Sequence, residues 1–132
     1  MHKNPLIREL ANESFKGIED KIHLIEPLEY VDFANLMAKC YLIMTDSGGI
    51  QEETPHFGVP VIILRNETER PEGVSAGVAC IAGNNYISIM KCISNFFESE
   101  NYYKSFSHCA NPYGDGNSSK RIAKIIAEQI LS

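Results

Sequence analysis

The chain has 132 residues, 44% of them hydrophobic and 22% charged, with a formal net charge of -5. That length predicts one domain with a real core, and the acidic balance excludes general nucleic-acid binding, which needs Lys/Arg clusters to displace counterions. Apolar runs such as Val61-Ile62-Ile63-Leu64 are far too short to cross a bilayer, so no membrane partner is expected, and no leader pattern opens the sequence.

In chain order, "NPLIRELANESFK" (4–16) has Leu6, Ile7, Leu10 and Phe15 near helical spacing, with Pro5 suited to a first turn. "KIHLIEP" (21–27) predicts a short strand stopped by Pro27. "EYVDFANLMAKC" (29–40) sets Val31, Leu36, Met37 and Cys40 on one face of a helix. "YLIMTD" (41–46) reads as a buried strand, "SGGIQEETPHFG" (47–58) as a helix start, and "VPVIILR" (59–65) as a strand rich in β-branched residues. The polar stretch "NETERPEGVSAG" (66–77) predicts a loop and "VACIAG" (78–83) a further strand. "YISIMKCISNFFES" (86–99) and "SSKRIAKIIAEQIL" (118–131) are amphipathic helices.

Short strands that are apolar on both faces and separated by helices predict an α/β domain, a parallel sheet with helices on both faces. In such sheets the ligand crevice lies at the carboxyl ends of the strands. Asp46-Ser47-Gly48 and the run from Arg65 to Glu72 both lie there. A doubly wound domain normally opens on its central strand; this chain opens on a loop and a helix, as if a first strand and helix were absent.

The four cysteines, Cys40, Cys80, Cys92 and Cys109, are scattered with no CxxC pair, and the four histidines form no cluster. Zinc is not expected. Spacing alone leaves disulfides open, but reduced thiols in a cytoplasmic protein are the simpler expectation.

Ser47-Gly48-Gly49 carries the chemistry. A helix starting at Gly48 or Gly49 leaves its first N–H groups unpaired, the dipole favours an anion, and glycine lets a phosphate oxygen approach the backbone. Ser47 can cap that helix or donate its hydroxyl to a phosphate. Glu53, about one turn on, can accept ribose hydroxyls. The plain alternative is a capped helix with solvated Glu52 and Glu53. No Lys-Ser/Thr pair follows, so this is not a P-loop. Pro55 falls where the helix should be under way and predicts a kink.

With "TDSGGIQEE", "GVPVIILRNETERPEGVSAG" and "NPYGDG" in this order, and "HKNPLIRE" and "EYVDF" before them, nearly the whole chain resembles the C-terminal part of the non-hydrolysing UDP-N-acetylglucosamine 2-epimerases. The resemblance implies a Rossmann-like, incomplete C-terminal domain of a GT-B fold spanning residues 1–132. It implies inversion of C2 between UDP-N-acetylglucosamine and UDP-N-acetylmannosamine, by elimination and re-addition of UDP, with no cofactor or metal. Ser47, Gly48 and Gly49 would hold the diphosphate and Glu53 the ribose. Phe33 would lie against the uracil, and Arg70 near the phosphates or sugar. His2 matches a histidine that helps bind a second, regulatory UDP-N-acetylglucosamine in some members. Tyr113 and Asp115 are hinge and packing residues on this reading.

Members of that family run to more than twice this length. The resemblance therefore implies that the N-terminal domain, with its acid/base carboxylates, and the first strand and helix of this domain are missing, so that the lone chain is silent. A homo-oligomer or a complementing N-terminal domain is the expected partner, joined through exposed apolar edges. Two other readings stand beside this one: a freestanding UDP or UDP-sugar-binding module working with a partner chain, and a fragment of a GT-B glycosyltransferase. Half a cleft predicts roughly millimolar UDP binding at best.

Overall fold

The computed structural model describes residues 4–130. The chain divides into two compact units, residues 1–35 and 36–132.

In the first unit, α1 (Pro5–Ser14) begins where the sequence directs. The Asn4 side chain accepts the Leu6 amide at 3.0 Å, and Pro5 fills a position whose N–H would be unpaired in any case. The expected strand at 21–27 is not formed. Among the described residues the sheet has three strands, none from this segment. An apolar run becomes a strand only where a neighbour takes its backbone hydrogen bonds. Leu24 and Ile25 instead remain exposed in an irregular stretch. A two-pronged bond from Arg8 to Glu26, at 2.7 and 2.6 Å, ties that stretch to α1. The unit boundary falls within α2 (Tyr30–Met37), which ends three residues before the expected limit. There the amides of Lys39 and Cys40 turn back onto Leu36 and Met37.

The second unit is built on three parallel strands, β1 (Ile43–Thr45), β2 (Val61–Ile63) and β3 (Ala79–Ile81), in that spatial order. Ile43, Val61 and Ala79 share one register row. Central β2 is wholly buried, and its side chains alternate between two clusters. Ile62 packs with Ala82, Cys92 and Phe96, on the side of α5 (Tyr86–Glu98) and α6 (Glu100–Ser107). Val61 and Ile63 pack with Ala79 and with Val74 of α4 (Pro71–Ser75). Helices thus lie on both faces of a parallel sheet, as the two-sided apolar strands require. Each β2 side chain contributes roughly 1.5–3 kcal/mol by burial, and Ile62→Ala would cost about 2–5 kcal/mol.

Helix α3 (Gly48–Glu53) follows β1 and tightens into a 3₁₀ turn, Thr54–Phe57. The kink expected at Pro55 takes this form: the α-helix stops before the proline. Gly58 closes the turn at φ 67°, and a Cβ there would lie 3.1 Å from the Ser107 carbonyl. Both constraints select glycine.

Two helices lay outside the sequence expectation, α4 within the polar loop and α6 after α5. Ser99 caps α6 by accepting the Tyr102 amide at 3.2 Å. Tyr102 and Phe106 then enclose the fully buried Phe96, with ring centroids 4.9 and 5.0 Å away. The final helix α7 (Ser118–Ile130) buries no residue and exposes Ile122, Ile125, Ile126 and Ile130.

The expectation of four separate thiols is also corrected. Cys80 of β3 and Cys92 of α5 are joined as a disulfide, while Cys40 and Cys109 are free. Strand and helix pack face to face, so residues twelve apart in sequence meet in the core, with Cα atoms 7.7 Å apart. That separation exceeds the roughly 4.4–6.8 Å usual for bridged cysteines.

Candidate functional site

The site grows from the carboxyl end of β1. Ser47 is extended (φ -80°, ψ 126°), and its amide donates to Thr45 Oγ1 at 3.0 Å, which turns the chain off the sheet. Its carbonyl accepts the Gln51 amide at 3.3 Å and so starts α3. The Ser47 hydroxyl makes no capping bond. Of the two uses the sequence allows it, the cap is not taken, and Ser47 is exposed. Gly48 and Gly49 fill the first turn, where amides lack intrahelical acceptors. A Cβ on Gly49 would meet nothing within 4 Å, and one on Gly48 would meet only Arg70 Nη2, at 4.0 Å.

That contact brings in the loop after β2. Arg65 and Glu69 form a two-pronged pair at 2.7 Å on both prongs, closing one turn of the loop. Arg70 caps α4, its Nε donates to Glu52 of α3, and its Nη1 donates to the Glu69 carbonyl at 3.2 Å. Its bond to Glu52, reinforced by the carboxylate charge, raises the Arg70 pKa, and a guanidinium stays charged in proteins in any case. From the other side Tyr113 Oη donates to the Arg70 carbonyl at 3.5 Å. The Tyr113 hydroxyl packs so closely on Gly73 that a Cβ there would collide with it. Burial, the largest influence, raises the Tyr113 pKa and keeps the phenol neutral.

Two residues of this region carry no sequence signal of their own. Gln51 is fully buried, and its Oε1 accepts a 2.6 Å bond from the Thr68 hydroxyl. Thr68 Oγ1 in turn accepts the Arg70 amide at 3.0 Å. Among the described residues Gln51 Nε2 has no partner, and a buried donor left unpaired costs about 1–3 kcal/mol.

Ser47, Gly48, Gly49 and Arg70, all predicted to hold a diphosphate, are thus brought together by two strand ends. Glu53 is the last residue of α3 and half-buried, on the same short helix. Phe33 belongs to the first unit, where it lines a hollow of about 270 Å³ with Ile25, Pro27 and Leu28. His2 lies outside the described residues. Asp115 is exposed and is engaged by Arg121 at 2.9 and 2.6 Å and by the Asn117 amide at 3.0 Å, at the approach to α7. Among the described residues no group of three or more His, Cys, Asp or Glu could hold a metal ion.

The chain is similar in sequence and fold to known proteins of one family. The family model described as UDP-N-acetylglucosamine 2-epimerase matches residues 1–127. The UDP-N-acetylglucosamine 2-epimerase of Bacillus subtilis (strain 168) is 48% identical over 124 residues, which are 94% of this chain and 32% of that protein. The S. aureus MnaA–UDP co-structure superposes with a TM-score of 0.92 at 47% identity, over 99% of this chain and 36% of that one. The Neisseria meningitidis UDP-GlcNAc 2-epimerase bound to UDP-GlcNAc gives 0.88 at 41%, over 97% and 35%. The chain therefore spans about a third of the length of the relatives it matches.

Proposed function

Because this chain belongs to the UDP-N-acetylglucosamine 2-epimerase family, we propose that it is the UDP-binding part of an enzyme inverting C2 between UDP-N-acetylglucosamine and UDP-N-acetylmannosamine. The observation that carries the reading is the approach of the Arg70 guanidinium to Gly48, next in sequence to the uncapped Ser47. A hydroxyl, first-turn amides and a cation at neighbouring positions are donors that a leaving diphosphate can use, since charge develops on UDP as the glycosidic C–O bond breaks. Glu53 takes the ribose hydroxyls; the assignment of uracil to Phe33, a residue of the first unit, rests on the family resemblance alone.

Acting alone, the chain is catalytically silent on this proposal. Proton transfer at C2 needs a base within hydrogen-bond reach. Glu52 is engaged by Arg70 and Glu53 is assigned to the ribose, so that base comes from outside this chain. The complementing surface is supplied by an N-terminal domain or by a further copy of the chain. Among the described residues β1 is paired on one side only. Beside it Cys40, Tyr41, Met44, Ile93 and Phe97 line an apolar groove of about 340 Å³, a surface suited to an added strand. The proposed compartment is the cytoplasm.

The test is a calorimetric or NMR titration of the chain with UDP, beside a Ser47→Ala, Glu53→Ala double variant. Saturable binding at about millimolar UDP, lost in the variant, is expected. Equal binding by both proteins, or none by the wild type at tens of millimolar, overturns the assignment. Sedimentation over a range of concentrations tests association.

A further inference from the structure

We infer that Gln51 and Thr68 are positioning residues that set Arg70 for the diphosphate. This inference rests on the UDP-binding reading given above.

Consecutive residues of α3 grip the loop after β2 at two levels. Glu52 holds the Arg70 guanidinium. Gln51, anchored in the core, holds the loop backbone through Thr68, whose one hydroxyl both donates to Gln51 and accepts the Arg70 amide. The ion pair is partly exposed, and a solvated pair alone orients a long side chain poorly. The buried leg supplies what the exposed leg lacks, a fixed Cα for Arg70 relative to Gly48. The orphaned Nε2 of Gln51 points the same way. An apolar residue would fill that place without an unpaired donor, so the side chain is accounted for by its oxygen. Threonine suits the middle of the relay because a hydroxyl donates and accepts at once.

The test compares Thr68→Val, which keeps the shape and removes the relay, with Thr68→Ser, which keeps the hydroxyl. A Gln51→Leu, Thr68→Val double variant removes both polar partners, so that no acceptor is left buried and unpaired if the single variant unfolds. Each is titrated with UDP and with UMP, and exchange of the Arg70 backbone amide is followed by NMR. The expectation is an Arg70 amide exchanging at least about tenfold faster in the valine variants. UDP affinity should fall about tenfold and UMP affinity by clearly less, because UMP lacks one of the two phosphates assigned to Arg70. Serine should restore both. A valine variant with an unchanged Arg70 amide, or with equal losses for UDP and UMP, overturns the inference. If the wild type binds no UDP, the UDP reading fails on its own, and the amide exchange still shows whether the relay holds the loop.

Discussion

The guanidinium of Arg70 is held by the carboxylate of Glu52, so the cation assigned to the diphosphate is paired before any ligand arrives. Both side chains are about two-fifths exposed, 39% and 41%, and pairs of that kind add little to stability. Glu52→Gln retains an acceptor for Arg70 and removes a negative charge near the ligand. The expected result is a melting temperature within about 2 °C of wild type and a few-fold gain in UDP affinity at low salt. A loss of affinity would show that Glu52 orients Arg70 through its charge.

Ser47 gives a sharper separation of stability from binding. An N-cap serine that uses its hydroxyl loses about 0.5–2 kcal/mol on mutation to alanine. Here the hydroxyl makes no capping bond. Ser47→Ala should therefore change the unfolding free energy by less than about 0.5 kcal/mol while weakening UDP binding about tenfold. A large stability loss with binding intact would return Ser47 to the role of a plain helix cap.

What could be read from sequence followed from local rules. Strands β1, β2 and β3 were legible because parallel, two-sided strands are continuous apolar runs, and the start of α3 because Ser-Gly-Gly after a strand marks a helix N-terminus. The segment 21–27 obeyed the same strand rule and failed it, because a strand depends on a neighbour that its own residues do not encode. The helix α6 was overlooked because "ENYYKSFS" has aromatic rather than aliphatic periodicity and its start rests on a single serine cap. Gln51 and Thr68 were illegible for a related reason: seventeen residues separate them, and only the fold makes them a pair.

Gly73 and Tyr113 are coupled by contact. A methyl group on Gly73 would run into the Tyr113 hydroxyl, and overpacking of this kind costs about 1–3 kcal/mol. Gly73→Ala should be destabilising by that amount, and Tyr113→Phe, which removes the obstructing oxygen, should restore much of it. The double-mutant cycle reads the coupling directly, and additivity of the two changes would mean that the contact is absent in solution.

Cys80 and Cys92 are bridged, and Cys40 and Cys109 are free. Alkylation of the unreduced, denatured protein should label two cysteines, and labelling after reduction should reach four. Four at the outset would remove the bridge. The proposed cytoplasmic location adds its own expectation, since reducing compartments keep such pairs open. Thiols trapped in intact cells should then number four.

Asp115 ties the approach to α7 by accepting from Arg121 and from the Asn117 amide. The Arg121 bonds, followed by those from Asn117, lower its pKa from the ordinary 3.8 to about 2. A carboxylate with a depressed folded pKa contributes stabilisation that is complete above its unfolded value and fades as pH falls through the folded one. The clamp should therefore hold fully above about pH 4 and loosen between there and pH 2, with no change across neutrality. Its direct readout is the Asn117 amide shift, which should titrate with a midpoint near 2 in the wild type and stay flat in Asp115→Asn. A midpoint near 3.8 would mean that Arg121 does not hold Asp115 in solution, and that the first turn of α7 is fixed by the Arg121 amide bond to the Asn117 carbonyl alone.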